Sequence, residues 1–317
     1  MPVPNRRLAA ASLTRLAAPY ALLLLAAHLG HGDAHAQASA SPGRTRVVVL
    51  GSGTPAADPE RFGPAVVVLV DSSAYLFDIG VGVVRRWAAA LERGASASDA
   101  TALRVAFVTH LHSDHTLGYP ELIFTSWTLD PAGRPLAVYG PRGLAGMTAN
   151  ILQAYKEDVA IRIGPGGEKA GGTRPVVEVH EIEPGVVHSD SLVRVTAFAV
   201  RHGTWPQAFG YRIRTPDKVI VLSGDATAGP EVARQCRGCD LLLHEGGFVG
   251  DAGARAYFRE FHTTAEELAR IATEAKPGLL VLYHQRPAGK SVDAGYRALR
   301  AHYQGPFVVA RDLDVFY

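Results

Sequence analysis

One six-residue segment constrains this chain more than any other: His110-Leu111-His112-Ser113-Asp114-His115. Imidazole nitrogens and a carboxylate held this close together suit zinc and similar divalent ions. The segment directly follows residues 104–109, a short apolar run that reads as a β-strand. In extended geometry His110 and His112, two apart, point the same way, whereas the adjacent Asp114 and His115 diverge. The spacing therefore favours two metal ions, one on the first pair and a neighbour on the second. Its position right after an apolar strand sets the segment apart from a His-rich polar surface loop.

The rest of the chain reads as strands and helices around that strand end. A β-branched run over 46–50 ends in a turn at Gly51-Ser52-Gly53-Thr54-Pro55, and 65–70 with 73–78 form a hairpin pattern through Asp71-Ser72. Further strands are expected at 136–139, 176–182, 193–200, 209–213, 219–222, 241–243, 279–283, 307–310 and 313–317. Helices are expected over 81–92, 263–275 and 292–302, and residues 231–240 read as a helix end running into a strand. The stretch 184–190 reads as a turn and 164–172 as a flexible Gly-rich loop. This order belongs to the α/β class, with two sheets packed together and helices outside. At 47% hydrophobic content, residues 46–317 can bury such a core as a single domain.

The N-terminus is expected to stand apart. Arg6, Arg7 and Arg15 precede the apolar run 17–27, and Ala34-His35-Ala36 supplies a small-x-small pattern. That is the layout of a cleavable secretory signal peptide over 1–36, followed by a short polar tether over 37–45. A bilayer span takes about 20 apolar residues, so the run is short for the alternative, an uncleaved anchor. The expectation is a periplasmic or secreted protein with no membrane span after cleavage. Taking three Arg and one Asp from 32 basic and 30 acidic residues leaves 29 against 29. A binder of long polyanions normally carries a basic footprint, so nucleic acid is not the expected partner. Cys236 and Cys239, the only cysteines, form one C-x-x-C. Without a second ligand pair they read as structural, as a disulfide or as free thiols.

Thr109-His110-Leu111-His112-Ser113-Asp114-His115 resembles the signature of the metallo-β-lactamase-fold hydrolases, and the resemblance covers nearly all of residues 46–317. It implies a four-layer αββα sandwich of two mixed sheets with outer helices. Leu50-Gly51-Ser52-Gly53-Thr54-Pro55 is similar to the family's first-strand turn, and Phe77-Asp78-Ile79-Gly80 to its buried aspartate segment. Arg201-His202-Gly203, followed by Phe209-Gly210-Tyr211-Arg212, resembles the third-histidine region of the ribonuclease Z branch. Ser223-Gly224-Asp225 and Leu282-Tyr283-His284-Gln285 resemble its bridging-carboxylate and last-histidine segments. The resemblance implies His110, His112 and His202 on one metal, Asp114, His115 and His284 on the other, and Asp225 bridging both. His202 and His284 each follow an apolar strand. His188 is the rival to His202, but it lies in the expected turn at 184–190.

Such a pair of ions lowers the pKa of a shared water, making hydroxide available at neutral pH. Asp114 is expected both to ligate and to orient that nucleophile. His262, in Phe261-His262-Thr263-Thr264-Ala265-Glu266-Glu267, resembles the helix-start histidine of the ribonuclease Z branch and would stabilise charge or protonate the leaving group. A surface histidine in a capping region is the alternative. Thr263 or Thr264 is the expected N-cap. His244 and Glu245 after the strand 241–243, with Asp78, would orient the ligands. Trp205, Tyr119 and Trp127 lie near the ligands in sequence and are candidates for an aromatic-accepting pocket, though each also suits a core. Members of the ribonuclease Z branch that process tRNA carry a long arm where this chain has only residues 213–222. The expected substrate is therefore a small sulfate or phosphate ester, arylsulfatase-like. The alternatives are a ribonuclease Z-like phosphodiesterase, a lactone or β-lactam hydrolase, and a non-catalytic zinc-binding protein.

Overall fold

The computed structural model describes residues 44–95, 101–130, 132–247, 256–287 and 290–317. The expected signal peptide and most of the tether lie outside these residues.

Two seven-stranded sheets organise the described residues. The first runs β14-β1-β2-β3-β4-β5-β6, from β1 (Thr45–Gly51), β2 (Ala65–Val70), β3 (Ser73–Phe77), β4 (Val105–Phe107), β5 (Leu136–Gly140), β6 (Val177–Glu181) and β14 (Val315–Phe316). The second runs β13-β12-β11-β10-β9-β8-β7, from β7 (Gly185–Ser189), β8 (Arg194–Ala199), β9 (Phe209–Arg214), β10 (Val219–Leu222), β11 (Leu241–Glu245), β12 (Leu279–Tyr283) and β13 (Phe307–Val309). Each is mixed. Strands β3 to β6 pair parallel, as do β10 to β13, while β1–β2–β3 and β7–β8–β9–β10 pair antiparallel.

Alternation along the strands assigns three apolar layers. Val47, Val49, Val66, Val68, Phe77 and Phe107 of the first sheet meet Val195, Tyr211, Ile213, Leu222, Leu243 and Val281 of the second. The opposite face of the first sheet, with Val48, Leu50, Val67 and Leu76, packs on α1 (Val83–Glu92), α2 (Tyr119–Leu129) and α3 (Leu144–Ala154). The opposite face of the second, with Val221, Leu242, Leu280 and Leu282, packs on α5 (Pro230–Cys236), α7 (Ala265–Ala275) and α8 (Lys290–His302). The remaining helices are α4 (Lys156–Ile163) and α6 (Ala256–Phe261). The result is the expected four-layer αββα arrangement.

Three local readings are corrected. The stretch 184–190 is not a turn but contains the edge strand β7, with His188 inside it. Residues 119–163 carry three helices that the sequence did not lead us to expect. The Gly-rich 164–172 loop is tied down, since Lys169 Nζ reaches the carbonyls of Thr128 and Asp130 at 3.3 and 3.4 Å. Cys236 and Cys239 are disulfide-bonded and buried under the outer helices of the second sheet.

Candidate metal centre

Strand ends from both sheets converge on one place. Asp78 directly follows β3, and His110 lies three residues past β4. His202 and Asp225 lie three residues past β8 and β10. Glu245 ends β11, and His284 directly follows β12. Asp114 and His115 sit in a short 3-10 turn over Ser113–His115. Parallel strands with helices on one side commonly gather functional groups at their carboxyl ends in this way. Two of the residues are held in unusual backbone conformations, Asp78 at φ 60° and His284 at φ 55°. Non-glycine residues of this kind cost of order 1–3 kcal/mol and concentrate at functional sites. Gly224, at φ 63°, turns the chain into Asp225 where a Cβ would come 2.8 Å from the Phe209 carbonyl.

All seven residues expected to hold metal meet here, in two groups. In the first, His110 Nε2 lies 2.9 Å from His112 Nδ1, which lies 3.1 Å from His202 Nε2. The far side of each ring is engaged. His202 Nδ1 donates to the Phe261 carbonyl at 2.7 Å, leaving Nε2 a bare lone pair in the neutral ring. Thr109 Oγ1 donates to Asp78 Oδ2 and so accepts from His110 Nδ1 at 3.0 Å, which leaves His110 Nε2 bare as well. In the second group, His284 Nε2 lies 3.2 Å from Asp114 Oδ2 and 3.3 Å from Asp225 Oδ2. His115 Nε2 lies 3.5 Å from Asp225 Oδ1 and 3.6 Å from Asp114 Oδ2. Asp225 also comes within ligand-sharing distance of His110, so it touches both groups.

The donors fit a divalent cation. His115 Nε2 and Asp225 Oδ1 are buried, with no hydrogen-bond partner among the described residues. Leaving such atoms unpaired costs about 1–3 kcal/mol each, and a cation between them satisfies both. His115 is aimed by Asp78, whose Oδ2 accepts from Nδ1 at 2.8 Å while Oδ1 takes the Thr109 amide at 2.8 Å. Orienting a ligand histidine through its other nitrogen is the usual device at metal sites.

The two groups differ in charge. Burial pushes His110 well down, His112 to about 4 and His202 down; neighbouring imidazoles add to this, and the opposing pull of Asp225 is outweighed on all three. Burial also works against charge on His115, but Asp78 and Asp225 outweigh it and hold that imidazole well above its usual range. Asp225 is held well below the carboxylate range: burial opposes its charge, and the neighbouring His284 and His115 outweigh it.

His262 sits between α6 and α7. Its Nδ1 meets Glu245 Oε2 at 2.5 Å, and its ring lies 5.5 Å from that of His202 and 6.0 Å from that of His284. Burial opposes its charge, Glu245 outweighs burial, and the pKa is pushed up to about 9. Glu245 is itself fixed by the Ala226 amide at 2.9 Å. Thr264 is the N-cap of α7, forming a capping box with Glu267, while Thr263 donates to the Ala226 carbonyl. The α7 start is thereby fastened to the turn that carries Asp225.

Other expectations need correction. His244 faces away from the centre. It alternates with Glu245 along β11, and its Nδ1 engages only the Glu245 carbonyl. Tyr119 and Trp127 are core side chains. Both are buried on α2, Tyr119 bonded to Thr148 and Trp127 to the Thr173 carbonyl. Trp205 does reach the centre, its Nε1 donating to His112 Nε2 at 2.7 Å. His188 is remote, on β7 and bonded to Asp190 just beyond it. Thr109 and Phe261 were not singled out from the sequence, yet they fix His110 and His202. Thr109 carried a signal, its place in the motif. Phe261 carried none, since it acts through its carbonyl and through its ring, which fills the space a Cβ on Gly203 would occupy.

Residues 56–285 match the family described as beta-lactamase superfamily domain. The chain belongs to the β-lactamase superfamily. It is a metal-dependent hydrolase of that superfamily, with the metallo-β-lactamase fold. Ribonuclease Z of Mycobacterium bovis (strain BCG / Pasteur 1173P2) is 32% identical over 278 residues, covering 84% of this chain and 96% of that relative. Ribonuclease Z of Mycobacterium tuberculosis (strain ATCC 25618 / H37Rv) is 31% identical with the same coverage. Among solved structures, the metallo-β-lactamase-fold protein YhfI of Bacillus subtilis superposes with a TM-score of 0.67 at 18% identity. Human tRNase Z, short form, gives 0.64 at 24%. Each structural match covers 86% of this chain and 98% of the other, and at these identities they speak for the fold alone.

Proposed function

We propose that this chain is a phosphodiesterase of the ribonuclease Z kind, working with two divalent ions, zinc first among them. The carrying observation is its relation to ribonuclease Z across nearly the whole of those relatives. His110, His112 and His202 would hold one ion, Asp114, His115 and His284 the other, with Asp225 between them. When bound, the ions supply a nucleophile from water at neutral pH and stabilise charge on the ester oxygens. Asp225 fixes the spacing of the two groups, and Asp78 and the Phe261 carbonyl fix the ring orientations of His115 and His202. Asp114, buried beside His284, is free on its second oxygen to orient an attacking water. His262 keeps its proton up to about pH 9 and can deliver it from Nε2 to the leaving oxygen, Glu245 stabilising the charged ring. The balanced charge over 37–317 led us to expect no nucleic-acid partner. We withdraw that expectation, because a total says nothing of local patches and the relatives are named for RNA cleavage.

One observation favours a second reading, a small sulfate or phosphate ester handled in the arylsulfatase manner. Strands β9 and β10 are joined by only Thr215-Pro216-Asp217-Lys218, a tight turn closed by Thr215 accepting the Lys218 amide at 3.0 Å. No arm emerges there to grip a large RNA. Export by the segment 1–36 belongs to the proposal too, and the N-terminal residue of protein recovered outside the cytoplasm tests it.

The deciding experiment measures metal stoichiometry and then turnover on precursor tRNA, an aryl phosphodiester, an aryl sulfate, a lactone and a β-lactam. Cleavage of the phosphodiesters with the aryl sulfate untouched is expected. Turnover of the aryl sulfate alone moves the chain to the second reading. Bound metal without any turnover leaves a zinc-binding protein, and one ion per chain sinks the two-ion arrangement.

A further inference from the structure

His284 is held differently from His110, His115 and His202. Those three rings are braced through Nδ1, by Thr109, by Asp78 and by the Phe261 carbonyl. His284 Nδ1 is buried with no hydrogen-bond partner among the described residues. The backbone of His284 is also in the left-handed region, at φ 55°. A non-glycine residue stays there only where its surroundings over-determine it. What fixes His284 therefore acts through the chain on either side of it.

That chain is clamped. Directly after His284, the Gln285 amide donates to the Ser52 carbonyl at 2.6 Å. The Gln285 side chain turns back, its Nε2 donating to the Tyr283 carbonyl at 2.8 Å while its Oε1 accepts from the Tyr296 hydroxyl. Ser52, fully buried just past β1, is held in turn by Asp312. Asp312 Oδ1 accepts the Ser52 amide at 2.9 Å and the Ser52 hydroxyl at 2.7 Å. Asp312 Oδ2 accepts the Phe62 amide at 2.9 Å, with Arg86 Nε 3.7 Å away. Hydrogen bonds accepted by a carboxylate are roughly twice as strong as neutral ones, so Asp312 is the firm end of this series. It lies where the chain leaves the second sheet for the first. Before it, the Ala310 amide donates to the Leu282 carbonyl of β12, and after it the Leu313 amide donates to the Val49 carbonyl of β1. The clamp spans both sheets at the edge from which His284 projects. We propose that Asp312 is a positioning residue: acting through Ser52 and Gln285, it holds His284 in place at the metal centre.

This inference rests on the proposed ligand role of His284 but not on which ester is cut. Its test reads zinc affinity and melting temperature. The full chain is titrated with zinc chloride against a competing chelator, which resolves two affinities, and His284→Ala marks the site that depends on His284. Asp312→Ala should weaken that site about tenfold, in the range for a lost ligand-orienting partner, and leave the other within about twofold. Asp312→Asn, which keeps an oxygen for Ser52, should recover most of the loss. In the His284→Ala background, Asp312→Ala should weaken zinc binding no further, because a residue acting through His284 has nothing left to position. A brace that merely joins the sheets predicts a lower melting temperature with both affinities unchanged, equal losses at both sites, or losses that add to those of His284→Ala. Any of these overturns the proposal. Should Asp312→Ala fail to fold, Ser52→Ala reads the same link, since it removes one donor to Asp312 and keeps the Ser52 amide and carbonyl. It should weaken the His284 site about threefold, the size of one hydrogen bond, and an unchanged affinity there overturns the proposal. A wild type that binds no zinc, or a His284→Ala variant with both sites intact, defeats the ligand reading and this proposal with it. That result is distinct from a weakened His284→Ala beside an unchanged Asp312→Ala, which defeats this proposal alone.

Discussion

The two halves of the centre solve the same problem with opposite electrostatics. At His110 and His202, which are buried, and His112, which is half-buried, desolvation outweighs the pull of Asp225, so the three rings are neutral with ring nitrogens facing one another. Asp114, His115, His284 and Asp225 are buried as well, but there the acids hold a proton on His115. The first half offers neutral rings to a cation. The second must lose a proton to take one. The lesson is that burial alone does not set the charge of a histidine cluster. The second-layer acid does, and here it is Asp78, which bonds His115 directly and reaches His110 only through Thr109.

Asp225 is where that contrast breaks most completely, since among the described residues it is the carboxylate that shares ligand-distance groups with histidines of both halves. Asp225→Ala should empty both and lower turnover by about a thousandfold or more, several kcal/mol of charge stabilisation. Metal analysis alongside turnover checks this, and an active, fully loaded variant would remove Asp225 from the centre. His262→Gln touches neither half as a ligand. Metal content should be unchanged while the rate falls about 10²–10⁴-fold, the span of general acid catalysis. A pH–rate profile separates the roles: the wild type should lose rate as pH rises past about 9, where His262 gives up its proton, and the variant should not.

The histidines of both halves were legible in the sequence for one reason. His110, His112, His202 and His284 each follow an apolar strand, and hydrophobic runs of this length are the strongest signal a sheet protein offers. The sandwich was legible for the same reason. What escaped was carried by weaker signals. β7 is an edge strand, paired only with β8 and half exposed, so little apolar pattern marks it. α2 buries Tyr119, Leu122, Ile123, Ser126 and Trp127, a helical spacing. Reading Tyr119 and Trp127 as pocket residues weighed nearness in sequence over that period. His244 shows the same error with period two: it is adjacent to Glu245, and in a strand adjacent residues point to opposite faces. Phe261 could not be found at all, because a backbone carbonyl leaves no trace in a side-chain pattern.

Asp78 offers a finer test of the contrast. Asp78→Ala removes the acceptor from His115 Nδ1 and from the Thr109 amide and hydroxyl. Metal affinity should fall about 10–100-fold, the usual cost of losing such a partner. The loss should fall mainly on the half that contains His115, because Thr109 and His110 remain in contact. Two-site zinc titrations resolve it, and equal losses at both sites would mean that Asp78 supports the centre as a whole.

Proton competition gives the smallest effect per step. On the three-histidine half no ring carries an extra proton near neutrality, since His112 is charged only below about 4 and His110 and His202 are pushed down as well. Affinity there should be flat between pH 8 and 6. On the other half His115 is held well above its usual range, so the proton is bound in the metal-free state and must leave when the ion arrives. Affinity should therefore rise with pH, by about tenfold per unit for one displaced proton, and level off only once His115 is deprotonated. Zinc titrations at pH 6, 7 and 8 should spread the two sites apart as pH falls, with calorimetry in buffers of different ionisation heat counting the released proton. Equal slopes at both sites would mean that Asp78 and Asp225 do not hold a proton on His115, and the electrostatic contrast between the halves would be lost.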